Sequence, residues 1–183
     1  MTGMDKSPIS YPIDVRRLPQ KGFPVVVQPD AKELGELARV HDLVSVAAFH
    51  AELLLKEWTR GGVSVTGRVR ASIVQECVVT LEPVESSIDE EIDTVFVPEG
   101  SPLSRDTIEE GELVLSADAS DPPETFDGVT IDVGAVAEEF FALGIDPYPR
   151  KPGAELPSAG LTGVNDSPFA ALLSPDPRSS KRR

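Results

Sequence analysis

From Val63 the chain alternates. Val63, Val65, Gly67, Val69, Ala71 and Ile73 hold one set of positions, and Ser64, Thr66, Arg68, Arg70 and Ser72 hold the other. A period of two kept up over this length puts the apolar side chains on one face of an extended strand and the polar ones on its reverse. A helix, with its period of 3.6, cannot sort these residues into faces. The segment therefore demands a long strand in a sheet with one wet face. The strand reads as running on to Thr80, where Leu81-Glu-Pro83 stops it. Its length suggests a long, bent hairpin arm, with Gly67 the candidate bend or bulge.

The neighbours follow from this arm. Arg60-Gly61-Gly62 directly precedes it and reads as a hairpin turn, the two glycines supplying the positive φ angles. The preceding run from Leu43 to Trp58, in which Val44, Val46, Ala48 and His50 alternate with Ser45, Ala47, Phe49 and Ala51, is then a partner strand. Ile88 to Val97 alternates again, with Ile88, Glu90, Ile92, Thr94 and Phe96 on one side and Asp89, Glu91 and Asp93 on the other. It is expected to pair antiparallel with the arm. Phe23-Pro-Val-Val-Val27 is a short strand stopped by Pro29, and Phe126 to Ile131 is a last one. Residues 98–124, rich in acid and proline, read as a long mobile loop in which Glu112 to Ser116 pairs at most briefly.

Two helices complete the pattern. Asp30 and Glu33 have capping-box spacing, in which each side chain satisfies a backbone N–H of the other. They open a helix over 31–41 that buries Leu34, Leu37 and Ala38. Asp132 is a good N-cap for a helix over 133–143. Val136, Phe140 and Leu143 are expected on its inner face, with Ala137 and Phe141 beside them, and Gly144 closes it. The fold class is α+β: an antiparallel, strongly bent β-sheet over residues 43–131, flanked by the two helices. This domain is expected to occupy residues 1–150. Residues 151–183 read as a flexible Pro/Gly/Ser-rich tail, disordered apart from one apolar island, Pro168-Phe-Ala-Ala-Leu-Leu173.

Charge narrows the function. The net charge is −14, very unevenly spread. Residues 1–75 carry ten Lys/Arg and eight Asp/Glu, while residues 76–145 carry only Arg105 against nineteen acidic residues. Such a middle repels a phosphate backbone and suits a basic partner, or simply keeps the chain soluble. The one cysteine, Cys77, excludes an internal disulfide and a four-thiolate zinc site. No apolar run approaches the roughly 20 residues that span a bilayer, and Met1 to Ser10 have no signal-peptide pattern, so the expected location is cytoplasmic.

Several segments together resemble a known family. They are Val65-Thr-Gly67, then Cys77-Val-Val-Thr-Leu-Glu-Pro-Val84, then the acidic strand Ile88 to Phe96, then Ile131-Asp-Val133 with Glu138-Glu139. In that order they are similar to the YceD family of large ribosomal RNA subunit accumulation proteins. Gly67, Cys77, Leu81, Glu82, Pro83 and Asp132 carry the signature. Asp146-Pro-Tyr-Pro-Arg-Lys-Pro-Gly153 resembles the alphaproteobacterial branch. The likeness spans about residues 10–155 and the island at Ser167-Pro-Phe-Ala170. It implies a bacterial, non-enzymatic factor supporting accumulation or processing of large-subunit (23S) ribosomal RNA, with no cofactor. Many relatives hold a second cysteine where this chain has Thr80, and more cysteines where it has Pro147-Tyr-Pro-Arg-Lys. A zinc site is therefore not carried over.

The residues offer candidate contacts. For RNA these are Arg16, Arg17 and Lys21 near the start, Arg68 and Arg70 on the wet face of the arm, Arg150 and Lys151 after the last helix, and the tail from Arg178 to Arg183. Arg68 and Arg70 are two apart, so both point the same way and can grip adjacent phosphates, or else they are ordinary surface charge, salt-bridged to the acidic strand beside them. For a basic protein they are Asp89, Glu90, Glu91 and Asp93, with Glu109 to Glu112 and the island Phe169 to Leu173 as further docking elements. Partners are therefore large-subunit ribosomal RNA, ribosomal proteins or assembly factors. The rivals are an acidic adaptor that touches no RNA and a divalent-metal-dependent hydrolase using Asp89, Glu91 and Asp93. A Cys77–His50 nucleophile pair has no support from spacing. Glu76 and Glu82, beside Cys77, are expected to raise its pKa and leave it an inert core residue.

Overall fold

A computed structural model of the chain describes residues 7–104, 108–109, 112–113 and 123–155. The elements are β1 (Pro12–Asp14), β2 (Phe23–Val27), α1 (Ala31–Val40), β3 (Ser45–Glu57), β4 (Val63–Glu76), β5 (Pro83–Pro98), β6 (Ile108–Glu109), β7 (Glu112–Leu113), β8 (Glu124–Phe126), β9 (Thr130–Asp132) and α2 (Val133–Leu143). The main sheet has the order β2-β3-β4-β5-β8. Pairing is antiparallel from β2 through β5, and β8 joins β5 in parallel. β1 pairs with β9, and β6 with β7, as separate two-stranded ladders. The class is α+β. No helix among the described residues is long and apolar enough to cross a membrane.

The alternation at Val63 does what its period requires. Val63, Val65, Val69, Ala71 and Ile73 are all buried, against Leu53 and Leu55 of β3 and Ile88, Ile92 and Phe96 of β5. The arm is shorter than expected, ending at Glu76 rather than Thr80, because residues 78–80 turn. Gly67 is neither bulge nor bend in the ladder. Its register runs unbroken, Leu53 to Gly67 to Ile92. A Cβ there would lie 2.9 Å from the Leu53 Cα and hard against the Glu52 carbonyl oxygen, so glycine lets two backbones close up. The bulge lies in β3 instead, between Val46 and Ala48. Ala47 is the extra residue, and it shifts the buried set, so that Val46 and then Phe49 both face inward.

α1 packs on β3, and α2 packs on β4 and β5. Asp30 accepts from the N–H groups of Lys32 and Glu33, while Glu33 accepts from the Asp30 N–H, completing the capping box. Asp132 caps α2 through Gly134 and Ala135, and also accepts from the Tyr11 N–H and Ser10 hydroxyl, which brings the segment before β1 onto α2. The inner face of α2 differs from the expected one. Val133, Val136, Ala137 and Phe141 are buried, whereas Leu143 is 73% exposed. The helix is apolar nearly all round, so periodicity alone does not select its face. Phe141 lies 5.5 Å from the rings of both Phe49 and His41. Glu138, 8% exposed, is held by Ser7 and by His41 Nε2 at 3.0 Å.

Two further expectations are corrected. Phe126 to Ile131 is two strands on different ladders, broken by a turn at Gly128–Val129. The sheet is not confined to residues 43–131, since β2 forms its edge. Apart from the β6 and β7 ladder, residues 105–122 lie outside the described residues, and so does the tail beyond Glu155 with its island and terminal arginines. The chain divides into two units, residues 1–151 and 152–183.

Candidate nucleic-acid interface

The outer face of the sheet carries charged rows set by strand register. His50, Arg70 and Asp89 lie side by side, and so do Glu52, Arg68 and Glu91. Arg68 and Arg70 do project from the same face, but not as a free pair. Both turn to one Asp89 oxygen, at 2.9 Å and 3.4 Å. Glu91 and Asp93 are exposed on this face. Glu90 is half-buried on the reverse, where its side chain approaches Gly144 at the end of α2. The four acidic candidates therefore do not share one surface. Among the described residues no group of three or more His, Cys, Asp or Glu is placed to hold a metal ion.

The remaining basic candidates fall at opposite ends of the sheet. Arg150 and Lys151 lie at the β4–β5 turn. Lys151 Nζ pairs with Glu82 at 2.9 Å and holds the Glu82 carboxyl below its usual range. The same turn encloses Cys77, which is fully buried. Its thiol is pulled down to about 6, first by the Lys151 N–H donating to Sγ at 3.4 Å, then by the Thr80 hydroxyl and the N–H groups of Thr80 and Val79. This reverses the expected rise, because backbone N–H groups converge on the sulfur while Glu76 and Glu82 do not approach it as hydrogen-bond partners. His50 lies opposite Arg70, seven residues from Cys77 along the strand and roughly 20 Å away, so the two do not meet.

Arg16, Arg17 and Lys21 lie at the other end, by the β3–β4 hairpin. Arg16 forks onto Asp14, lowering that carboxyl to about 2. Arg17 and Lys21 make no ion pair among the described residues. Gly22, next to Lys21, abuts the side chains of Leu54 and Lys56. The hairpin closes with the Trp58 N–H donating to the Gly62 carbonyl at 2.7 Å. Its positive φ angles belong to Arg60 (56°) and Gly61 (79°), not to the two glycines. Gly62 is extended, and a Cβ there would meet the Phe96 carbonyl and the Trp58 ring, both at 2.9 Å.

A cleft of about 370 Å³ opens at this hairpin, lined by Arg16, Glu57, Trp58, Gly61, Pro98 and Phe126 among others. Trp58 is 38% exposed. Lys56 and Arg60 flank it in sequence and make no ion pair among the described residues. Sequence reasoning did not single out Lys56, Trp58 or Arg60. The local signal was present: an aromatic between two cations, ahead of a glycine turn.

A family model described as "Large ribosomal RNA subunit accumulation protein YceD" matches residues 65–173. The match begins at β4, later than the resemblance near residue 10 suggested, and runs to the end of the apolar island. No curated protein and no solved structure matches the chain.

Proposed function

The chain belongs to the YceD family, large ribosomal RNA subunit accumulation proteins, whose model covers more than half of it, and from that premise we propose that it sustains the level of large-subunit (23S) ribosomal RNA by binding a nascent ribosomal component, without chemistry of its own. The family match carries this reading. The separation of Cys77 from His50 and the uptake of Asp89 by two arginines fit a scaffold better than a catalyst.

Contact falls on RNA through cations outside the strong pairs, Arg17 and Lys21 at one end and Arg150 at the other. A second reading, a basic ribosomal protein seated on Glu91 and Asp93, draws on the acidity of residues 76–145. Depletion of the protein, followed by measurement of the ratio of large- to small-subunit RNA, tests the function. A fall in the ratio is expected, and an unchanged ratio refutes it. Crosslinking in cells, with sequencing of attached RNA, separates the two contacts. Large-subunit RNA is expected on the protein, whereas recovery of ribosomal proteins alone selects the second reading.

A further inference from the structure

The main sheet has an uncovered edge. β5 runs from Pro83 to Pro98, and β4 pairs along one side of it almost throughout. On the other side β8 takes only Phe96 to Pro98. No strand among the described residues pairs with that side of residues 83–95. Pro123, with no N–H to donate, stands where β8 begins and stops it from extending along the edge. An antiparallel strand turns the N–H and C=O of every second residue away from its partner, so this edge offers a row of backbone donors and acceptors.

Where β8 stops, a cleft of about 960 Å³ opens between the β5 edge and α2. Val95, Phe140 and Leu143 give it an apolar lining, and Leu143 stands mostly in solvent. Its charged lining is Asp93, Glu124 and Glu139, with no Lys or Arg among the described residues that form it. Burial, with repulsion from Glu139 added, pushes the Glu124 carboxyl above its usual range, against the hydrogen bond from the Thr94 hydroxyl. Glu91 carries the negative charge further along the outer face. Asp89 is taken up by Arg68 and Arg70. Glu91, Asp93, Glu124 and Glu139 make no ion pair among the described residues.

We propose that the β5 edge takes up one extended segment of a basic protein, as an added strand in which cationic and apolar residues alternate. The period of two does the sorting. One set of its side chains meets Phe140 and Leu143 on the α2 side, and the other set meets Glu91 and Asp93 on the outer face. Acids on an edge guard it against other strands, and a guard of one sign admits a strand of the other. A second copy is refused, since pairing two β5 edges sets Glu91 and Asp93 against their like. Residues 105–122 carry one arginine and six acids, so they share the sign of the cleft. RNA is repelled by it. The inference rests on the reading of a binder of nascent ribosomal components and gives the second contact, a basic ribosomal protein, its surface.

The test titrates the full chain with a labelled peptide of about eight residues, lysine or arginine alternating with valine or isoleucine. Anisotropy reports binding. Emission of Trp58, the one tryptophan, reports occupancy, because Trp58 also lines this cleft. Binding with a change in Trp58 emission is expected, about tenfold tighter than for a peptide of the same composition with its charges gathered at one end. Glu91→Lys with Asp93→Lys should weaken binding about tenfold or more, and Leu143→Ser about fivefold. Reversing the peptide's charges should restore binding to the double variant. Methylating the peptide nitrogens of every second residue blocks one edge of the added strand, so one such series should lose binding and the other keep it. Equal binding of the two peptide orders, or an equal effect of the two methylated series, overturns the proposal. So does displacement of the peptide by single-stranded RNA. Binding seen only once the chain is ended at Glu155 overturns it too, by making the chain's own basic end the occupant. Complementation separates the two claims. If depletion lowers large-subunit RNA and the Glu91→Lys, Asp93→Lys, Leu143→Ser variant restores it fully, the site fails and the family function stands. If depletion changes nothing, the function fails and the peptide titration still judges the site.

Discussion

The two turns at the ends of β4 are made by the same strand, yet they are built on opposite terms. At the β4–β5 turn the polar groups are closely satisfied. The Cys77 N–H donates to Glu82, the Val78 N–H to Pro149, Gln75 to the Asp146 carbonyl, and the Lys151 N–H to the buried sulfur. At the β3–β4 turn the backbone closes on itself and the side chains are left over: Trp58 half in solvent, Lys56 and Arg60 unpaired among the described residues, and a left-handed arginine where glycine fits better. The first arrangement spends its hydrogen bonds on locking residues 146–151 to the sheet. The second keeps charge and ring surface available. A turn with many internal partners reads as structure, and one with unused donors reads as a surface for something else.

That contrast can be broken most severely through the strand the turns share. Gly67→Ala forces a methyl into the Glu52 carbonyl and should cost about 3 kcal/mol or more, loosening both turns at once; urea unfolding measures it. Ending the chain at Ile145 strikes only the satisfied turn. Gln75, Val78 and Cys77 lose their partners, at about 2 kcal/mol, and the thiolate loses its main donor. The same turn has a pH signature. The folded Cys77 pKa, about 6, lies below the ordinary value of 9.0. Its stabilisation is therefore complete above the unfolded pKa and is lost as pH falls through the folded one. Relative to Cys77→Ser, the native chain should gain stability between pH 6 and 9. Parallel pH slopes for the two proteins would show that the sulfur carries no such charge. The smallest effect belongs to the other turn. Arg60→Gly should raise stability by about 0.5–1 kcal/mol, visible as a higher melting temperature, whereas a loss would mean that Arg60 serves the fold.

Local signals in the sequence were reliable where physics is local. The Asp30–Glu33 box, the Asp132 cap and the alternation of β4 and β5 each formed as their spacing required. What failed depended on distant chain. The donor that lowers the Cys77 pKa comes from Lys151, 74 residues away, so neighbouring glutamates were the wrong guide. For Arg68 and Arg70 the same-face pairing and a salt bridge to the acidic strand were both open in the sequence, and only the register of β5 picks Asp89 as the shared partner. Gly67 suggested a bulge by type, whereas the close approach of Glu52 is set by β3. The face of α2 was ambiguous because Phe140, Phe141 and Leu143 are all apolar, and packing against Phe49 chose Phe141. Trp58 went unremarked because its interest lies in company from Arg16 across the cleft.

The β1–β9 ladder has a consequence for how the molecule comes into being. Pro12 must find Asp132, some 120 residues further along the chain. At translation rates of about 5–20 residues per second, the earlier strand waits on the order of ten seconds after its synthesis for its mate to be made. The hairpins from β2 to β5 need no such delay. Completion of the native state is thus tied to the emergence of residue 132, and an early stop before it would release the main sheet with β1 left without its partner.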